Sequence, residues 1–203
     1  ACAMGLYGDQ TAQDSAGDCK GCNVGRYNGQ VAQTDNTVCT ECSTGKYNDE
    51  TGQAACKDCA TGLYNNQVAQ NAAGNCKTCP SGTFNDQVAQ TDAAACHQCE
   101  AGTYNGQTGA AVCGGCAAGL YQDNTGQTAC KECLKGKFND QAAQTTEGAC
   151  KDCAVGLYND QLAQVRAHDS DTSGSGCKDC AAGKYNDQLA QVRAHDSDNP
   201  PSG

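Results

Sequence analysis

The residues in this chain with the most reactive side chains are its 19 cysteines, most of which lie in pairs separated by two residues. Cysteines at this spacing can form a redox-active dithiol, bind zinc, or take part in structural disulfides. A redox dithiol would need a thioredoxin-like βαβ pattern, and no such pattern surrounds the pairs. Zinc has more support, because the span from Cys39 to Cys59 comes close to zinc-ribbon spacing. We favour structural disulfides, since the chain has little else to stabilise a fold.

The composition explains this preference. Leu, Val, Ile and Phe together supply 18 of 203 residues (seven Leu, nine Val, two Phe), and the net charge is −10. Such a chain would normally be disordered unless covalent cross-links hold it. Regularly spaced cysteines in this number indicate an oxidising compartment, so we expect an extracellular or cell-surface protein. The acidic balance argues against nucleic acid as a partner, and no apolar run approaches the ~20 residues that would insert in a membrane.

One short unit recurs ten times along the chain. In each copy a glycine lies three residues after a cysteine, and an aromatic residue lies two residues after that glycine, as in Cys153, Gly156 and Tyr158. This position uses all eight Tyr and both Phe, and there is no Trp. We therefore predict a single array of ten cysteine-rich repeats, which we expect to be an excerpt of a longer chain. Repeats 1 to 10 are approximately 1–18, 19–38, 39–55, 56–75, 76–95, 96–112, 113–129, 130–149, 150–176 and 177–203.

The predicted fold class follows from this short period. We expect small disulfide-rich repeats that form an elongated rod, with sparse short β-hairpins, mostly coil and turn, and no sizeable helices. Each repeat should touch only its neighbours. A single ring cannot be buried within 17 residues, so each ring should stack on the cysteines and glycine backbone of the next repeat. This predicted aromatic ladder consists of Tyr7, Tyr27, Tyr47, Tyr64, Phe84, Tyr104, Tyr121, Phe138, Tyr158 and Tyr185.

The variable part of each repeat lies between the aromatic and the next cysteine. Short repeats have Thr-Gly as a turn, and longer ones replace it with Gln-x-Ala-Gln, as in 30–33 and 67–70. The segments 159–171 and 186–198 are identical. The recurring glycine is expected to adopt a positive φ or to admit a neighbouring backbone closely. Asn-Asp, Asn-Gly and Thr-Gly are expected to form turns.

These features resemble the ephrin-receptor-like cysteine-rich repeat, which also occurs in long arrays on the surface of algae and other protists. The pattern is two cysteines, glycine, tyrosine, Gly-Gln and two further cysteines, and the residues from Lys46 to Cys59 and from Tyr121 to Cys133 match its part from the tyrosine onward. The Gln-x-Ala-Gln repeats depart from the pattern, and only Pro80 keeps the proline that often follows the second cysteine. The resemblance implies an extracellular, elongated, disulfide-stapled module, and it implies no particular activity.

We predict that the second cysteine of each pair bonds the first cysteine of the next pair. Each bridge would close one loop that contains a glycine and an aromatic, and could contribute ~3 kcal/mol on the loop-entropy model. Bridges within a pair would close only tiny loops and leave the longer segments without a cross-link. Cys180 is then expected to bond a following segment or chain. The predicted pairs are Cys2–Cys19, Cys22–Cys39, Cys42–Cys56, Cys59–Cys76, Cys79–Cys96, Cys99–Cys113, Cys116–Cys130, Cys133–Cys150 and Cys153–Cys177.

No other residues make a convincing catalytic or cofactor site. The histidines His97, His168 and His195 have no nucleophile at a constant offset, so we expect solvated side chains, no catalytic or metal-binding residues and no cofactor. The segment 169–174 copies the first half of a calcium-binding loop, but Cys180 stands where its bidentate Glu belongs, which favours a solvated acidic loop. Exposed threonines at Thr34, Thr91, Thr145 and Thr146 would accept O-linked glycans.

The sequence therefore favours a non-enzymatic extracellular structural protein that builds a fibre or surface appendage, such as the flagellar hairs of protists. Its expected partners are copies or continuing repeats of itself, and possible attached glycans. Two alternatives stay open: a receptor or adhesin ectodomain that binds a ligand, and a metal-binding cysteine array.

Overall fold

A computed structural model describes residues 1–10, 15–167 and 176–181, together with the backbone of the strand residues 184–185 and 195–196. The chain divides into two units. The first is Ala1–His97 with Gln107–Val112, and the second is Gln98–Gly106 with Cys113–Gly203. Both are built from the same two-stranded hairpins, one for each repeat.

Every strand that the structure describes is two residues long. Odd-numbered strands contain the aromatic, and each even-numbered strand lies just after the first cysteine of a pair or, for β20, at the corresponding place. The strands are β1 Leu6–Tyr7, β2 Lys20–Gly21, β3 Arg26–Tyr27, β4 Thr40–Glu41, β5 Lys46–Tyr47, β6 Lys57–Asp58, β7 Leu63–Tyr64, β8 Lys77–Thr78, β9 Thr83–Phe84, β10 His97–Gln98, β11 Thr103–Tyr104, β12 Gly114–Gly115, β13 Leu120–Tyr121, β14 Lys131–Glu132, β15 Lys137–Phe138, β16 Lys151–Asp152, β17 Leu157–Tyr158, β18 Lys178–Asp179, β19 Lys184–Tyr185 and β20 His195–Asp196.

From β1–β2 to β17–β18, each hairpin pairs its aromatic strand antiparallel with the strand that begins the next repeat. In the pair β5 and β6, for example, Tyr47 lies opposite Lys57 and Lys46 lies opposite Asp58. The second cysteine of the pair then donates its backbone N–H to the repeated glycine, as from Cys59 to the Gly45 carbonyl at 2.9 Å. Consecutive repeats are thus joined by main-chain hydrogen bonds as well as by sequence.

The longer repeats contain a single turn of 3-10 helix just before a cysteine. These turns are Ala16–Asp18, Asn36–Val38, Ala73–Asn75, Ala93–Ala95 and Glu147–Ala149. Two of them have an aspartate N-cap, since Asp35 accepts from the Thr37 N–H and Asp92 accepts from the Ala94 N–H, each at 2.8 Å. The three extra residues of a long repeat are therefore accommodated in the loop that connects the two strands, and the strands keep their length.

The predicted fold class is confirmed in its main features: disulfide-linked tandem repeats, short antiparallel hairpins and, in the described part of the chain, only one-turn helices. The buried residues are mainly cysteines and asparagines, and two aromatic rings join them. No helix within the described ranges has the length and apolarity to cross a bilayer.

Candidate assembly interface between repeats

The most completely buried side chains other than cysteine are amides. The residue that follows each aromatic is an asparagine in most repeats, and its side chain is withdrawn from solvent. We call these residues the amide series. It consists of Asn28, Asn48, Asn65, Asn85, Asn105, Gln122, Asn139 and Asn159. Repeat 1 has Gly8 at this position, and Asn186 lies outside the described residues.

Asn65 shows how one such amide is used. Its Nδ2 donates to the Lys46 carbonyl in repeat 3 at 3.0 Å, and its Oδ1 accepts from the N–H of Gln67 at 3.0 Å. Its backbone carbonyl accepts from the Gly45 N–H at 2.7 Å, and its backbone N–H donates to the Gln90 carbonyl in repeat 5 at 2.9 Å. One buried residue of repeat 4 therefore joins three consecutive repeats.

Burial without hydrogen bonds would make these amides strongly destabilising, at roughly 1–3 kcal/mol for each unsatisfied polar group. Within the amide series the bonds are made in the same way from repeat to repeat. The side-chain amides of Asn28, Asn85 and Asn159, for example, donate to carbonyls of the preceding repeat at 2.9–3.0 Å. Directional polar contacts therefore help to specify the interface between repeats.

Repeat 7 departs from this pattern because its amide is a glutamine. The longer side chain of Gln122 turns back into its own repeat, where Nε2 donates to the Ala129 carbonyl at 2.7 Å. Its backbone carbonyl still accepts from the Gly102 N–H at 2.7 Å. The main-chain connection between repeats therefore survives when the side-chain connection is lost.

The recurring glycine has both properties expected of it. Gly45 has a φ of +78°. A Cβ on this residue would overlap the Ala89 carbonyl, because the backbone of repeat 5 passes directly over it. Gly5 and Gly52 approach one another in the same way. The prediction that each repeat touches only its neighbours is therefore wrong. The glycine also contacts the second repeat along, because it has no side chain to hold that backbone away.

The Gln-x-Ala-Gln segments supply an unusual backbone at this contact. Their alanine has a φ of +55° to +58°, a left-handed conformation that costs an L-residue roughly 1–2 kcal/mol. In the short repeats the same place is taken by glycine at +68° to +72°. In both cases the N–H of this residue donates to a cysteine carbonyl, as from Ala89 to Cys59 at 2.9 Å and from Gly109 to Cys79 at 2.8 Å. The left-handed alanines are Ala32, Ala69, Ala89, Ala143 and Ala163.

Ala89→Gly is expected to stabilise the protein by about 0.5–1 kcal/mol. Glycine relieves the left-handed strain, and its greater freedom in the unfolded chain offsets part of that gain. Chemical denaturation under non-reducing conditions measures the change. Ala94→Gly is the control, because Ala94 lies in a 3-10 turn without a positive φ and is exposed. This control should lose about 0.5 kcal/mol. Equal changes in the two variants would contradict the strain argument.

The structure contains the disulfide pairing proposed from the sequence. Each second cysteine is bonded to the first cysteine of the next pair, from Cys2–Cys19 to Cys153–Cys177. The Cα–Cα distances of 5.5–5.8 Å are typical of unstrained disulfides. The cysteines that a zinc or redox site would need are thus occupied in these bonds, apart from Cys180.

The rings of the predicted aromatic ladder are buried to different degrees. Tyr121 packs on Cys133 and Cys150, and Phe138 packs on Cys153 and Cys177, which in both cases is the disulfide of the next repeat. Most other rings are half-buried, and Tyr104 is 37% exposed. The side chain of Tyr185 lies outside the described residues. The ladder therefore stays a prediction for the chain as a whole, and the amide series supplies the more regular contact.

Ion pairs lie on the exposed face of the hairpins. Lys131 donates to Asp123 at 2.6 Å and Lys57 donates to Asp49 at 2.7 Å. The hydrogen bond from Lys131 holds the pKa of Asp123 below its usual value, and that from Lys57 does the same to the pKa of Asp49. Both pairs are open to solvent, so they contribute little to stability.

The remaining candidates from the sequence are not brought together. Cys180 is a half-buried free thiol whose pKa is raised by burial and, to a lesser degree, by the charge of Asp179. His97 lies against Phe84, with ring centroids 6.0 Å apart. His168 and the acidic segment 169–174 fall outside the described residues, as does the side chain of His195. Across the described ranges no group of three His, Cys, Asp or Glu side chains is placed to hold a metal ion.

Comparison with known proteins supports the same type of repeat. Residues 102–150 match a family model described as tyrosine-protein kinase ephrin type A/B receptor-like. This match, with the regular series of cysteine pairs, confirms the predicted resemblance to cysteine-rich ephrin-receptor-like repeats. The match and the nine disulfides point to an extracellular or cell-surface protein. A comparison with curated proteins found no match.

Proposed function

We propose that this chain is a non-enzymatic structural segment of an extracellular fibre or cell-surface appendage, with copies or continuing repeats of itself as its partners. The flagellar hairs of protists are the first place where we would look for such a fibre. The observation that carries it is the amide series, in which a buried residue of one repeat bonds both the repeat before it and the repeat after it. Such an arrangement propagates along an array of any length.

Two further observations support a structural role. The recurring glycine and the left-handed residue form a second connection that skips one repeat, as between Gly62 and Gly109. The disulfides replace the missing apolar core, with about 3 kcal/mol available from a loop of this length. Most of the chain's distinctive residues are therefore used in repeat-to-repeat contacts.

The test is imaging of the native source. An antibody against this chain should label appendages at regular intervals along their length in negative-stain electron microscopy. The purified chain, extended by further repeats, should form longer particles as its concentration rises. Two results together would contradict the fibre proposal and favour a receptor or adhesin ectodomain. They are labelling confined to the plasma membrane and a purified chain that stays monomeric at every concentration.

Solution scattering supplies a separate prediction about shape. A compact protein of 203 residues would have a radius of gyration near ~17 Å. A stacked array should give at least twice that value, because it has no central core for the repeats to collapse on. The measurement should be made on the oxidised monomer, and repeated after reduction as a control for chain expansion. A radius of gyration close to the compact value would rule out the rod.

A further inference from the structure

The side chains that face the aromatic rings differ among the repeats. The register of the hairpins places a residue of the next strand opposite each ring. In most of the repeats this residue is a lysine, as with Lys131 opposite Tyr121 and Lys151 opposite Phe138. In both of these hairpins the lysine Nζ lies over the ring, 5.8 Å from its centroid. This is the geometry of a cation–π contact.

Repeat 6 lacks the covering lysine. Gly114 lies opposite Tyr104, and Gly115 completes the strand. The acidic residue that pairs the lysine elsewhere is also absent, because Gly106 stands where Asp123 and Asp140 stand in the two following repeats. Tyr104 is the most exposed ring of the array among the described residues, at 37%. The cation–π contacts within the described residues are those of Lys131 and Lys151, and neither involves Tyr104.

The backbone opposite the Tyr104 ring could carry a side chain. A Cβ built on Gly114 would lie 3.8 Å from Cε1 of Tyr104, which is ordinary van der Waals contact. Gly114 also has no positive φ. The backbone therefore leaves room over the ring for a side chain that this repeat does not supply.

We propose that Tyr104, with Gly106, Gly114 and Gly115 around it, is a docking surface for a lysine- or arginine-bearing segment of another extracellular protein. The partner's cation takes the place over the ring that Lys131 and Lys151 take in the two following repeats. The net charge of −10 favours the approach of a basic partner over long range. The proposal adds a binding surface to the structural role and does not depend on fibre assembly.

The test uses two matched peptides with blocked ends, Gly-Lys-Gly-Lys-Gly and the same peptide with norleucine in place of lysine. Norleucine keeps the aliphatic stem and removes the ammonium. Titration is followed through the NMR signals of the Gly106 and Gly115 backbone N–H groups, which every variant below keeps. The lysine peptide should shift these signals, and the norleucine peptide should bind at least about three- to fivefold more weakly, on the scale of an exposed cation–π contact.

Three variants locate the contact. Tyr104→Leu keeps the charge of the protein and should weaken binding of the lysine peptide about three- to fivefold, whereas Tyr104→Phe should retain it. Gly114→Lys supplies the cation within the chain and should weaken binding by at least as much. Gly74→Lys is its control, because it adds the same charge in repeat 4, where a Cβ at Gly74 has open space; it should leave binding nearly unchanged.

Several outcomes would overturn the proposal. If the norleucine peptide bound as tightly as the lysine peptide, the surface would recognise the aliphatic stem and not the ammonium. Equal binding of the lysine peptide to Tyr104→Leu would reduce the effect to general attraction by net charge. Loss of binding in Gly74→Lys as large as in Gly114→Lys would do the same. Each of these results can occur whether or not the chain assembles into fibres.

Discussion

Asn65→Asp is expected to lower the free energy of unfolding by roughly 3–5 kcal/mol at neutral pH, the range for an uncompensated buried charge. Asn65 is fully buried, and its Nδ2 donates to the Lys46 carbonyl. A carboxylate has no hydrogen to donate there, so two oxygens that carry negative charge would face one another. The buried position also excludes the solvent that would otherwise stabilise the carboxylate.

The pH dependence follows from the same burial. The introduced carboxyl should have a folded-state pKa above its unfolded value of ~3.9, because burial disfavours the charged form. The electrostatic part of the loss is therefore absent below the unfolded pKa and grows as the pH rises through the interval up to the folded pKa. Hydrogen exchange at the Gly45 N–H, which donates to the Asn65 carbonyl, reports the loss locally.

The adjacent residue provides the control. Asn66 is exposed, and its Oδ1 accepts from Lys77 Nζ at 2.9 Å. Asn66→Asp makes the same chemical change one residue away and creates the Lys–Asp pair found in other repeats, so its effect should stay within about 0.5 kcal/mol. Similar losses in the two variants would show that the burial of the amide series does not govern stability.

Gly62→Ala should lower the free energy of unfolding by about 1.5–3.5 kcal/mol. The residue has a φ of +76°, which penalises alanine by roughly 1–2 kcal/mol. The new methyl group would also overlap the Gly109 carbonyl, so one of two backbone hydrogen bonds must break. These are the bond from Gly62 to the Asn85 carbonyl at 2.7 Å and the bond from Gly109 to the Cys79 carbonyl at 2.8 Å. Each contributes about 0.5–1.5 kcal/mol.

Gly74→Ala is the matched control for this substitution. Gly74 lies in a 3-10 turn, has no positive φ, and a Cβ there would meet no atom within 4 Å. It should be neutral or slightly stabilising. Hydrogen exchange should accelerate at the N–H of residue 62 or at the N–H of Gly109, in Gly62→Ala alone. Unchanged exchange at both would mean that the contact between repeats 4 and 6 is dispensable.

The cysteines and glycines were the most predictable part of the fold. Their spacing alone suggested the disulfide order, because bridges within a pair would leave most of the chain without a cross-link. A positive φ and a close backbone at Gly45 follow from the absence of a side chain. Both arguments depend on covalent geometry and sterics, which a sequence determines directly.

The amide series was missed for a physical reason. Asparagine next to aspartate or glycine is typical of an exposed turn, and polar residues are usually found at the surface. Asn65 does form a turn, since its Oδ1 accepts from Gln67. It is nevertheless fully buried and bonded to the repeats on both sides. Only the constancy of the position after the ring could have revealed this.

The left-handed alanines were missed as well, because alanine rarely adopts a positive φ. A signal was available. The alanine of a long repeat, such as Ala89, corresponds to the glycine of a short repeat, such as Gly109, and that glycine lies in a predicted turn. The aromatic rings were given too much weight, since a large apolar residue was assumed to be the most buried one.

The burial of Asn28 also affects how the protein ages. Asparagine before glycine loses ammonia readily, because the glycine nitrogen can reach the side-chain carbonyl carbon and close a succinimide. In the folded chain the Asn28 amide is held at both ends, by the Leu6 carbonyl and by the N–H of Gln30, each at 3.0 Å. The side chain therefore cannot rotate to meet the Gly29 nitrogen. Once a repeat opens and the amide hydrolyses, the resulting acid cannot re-enter its place, so damage at one repeat becomes permanent.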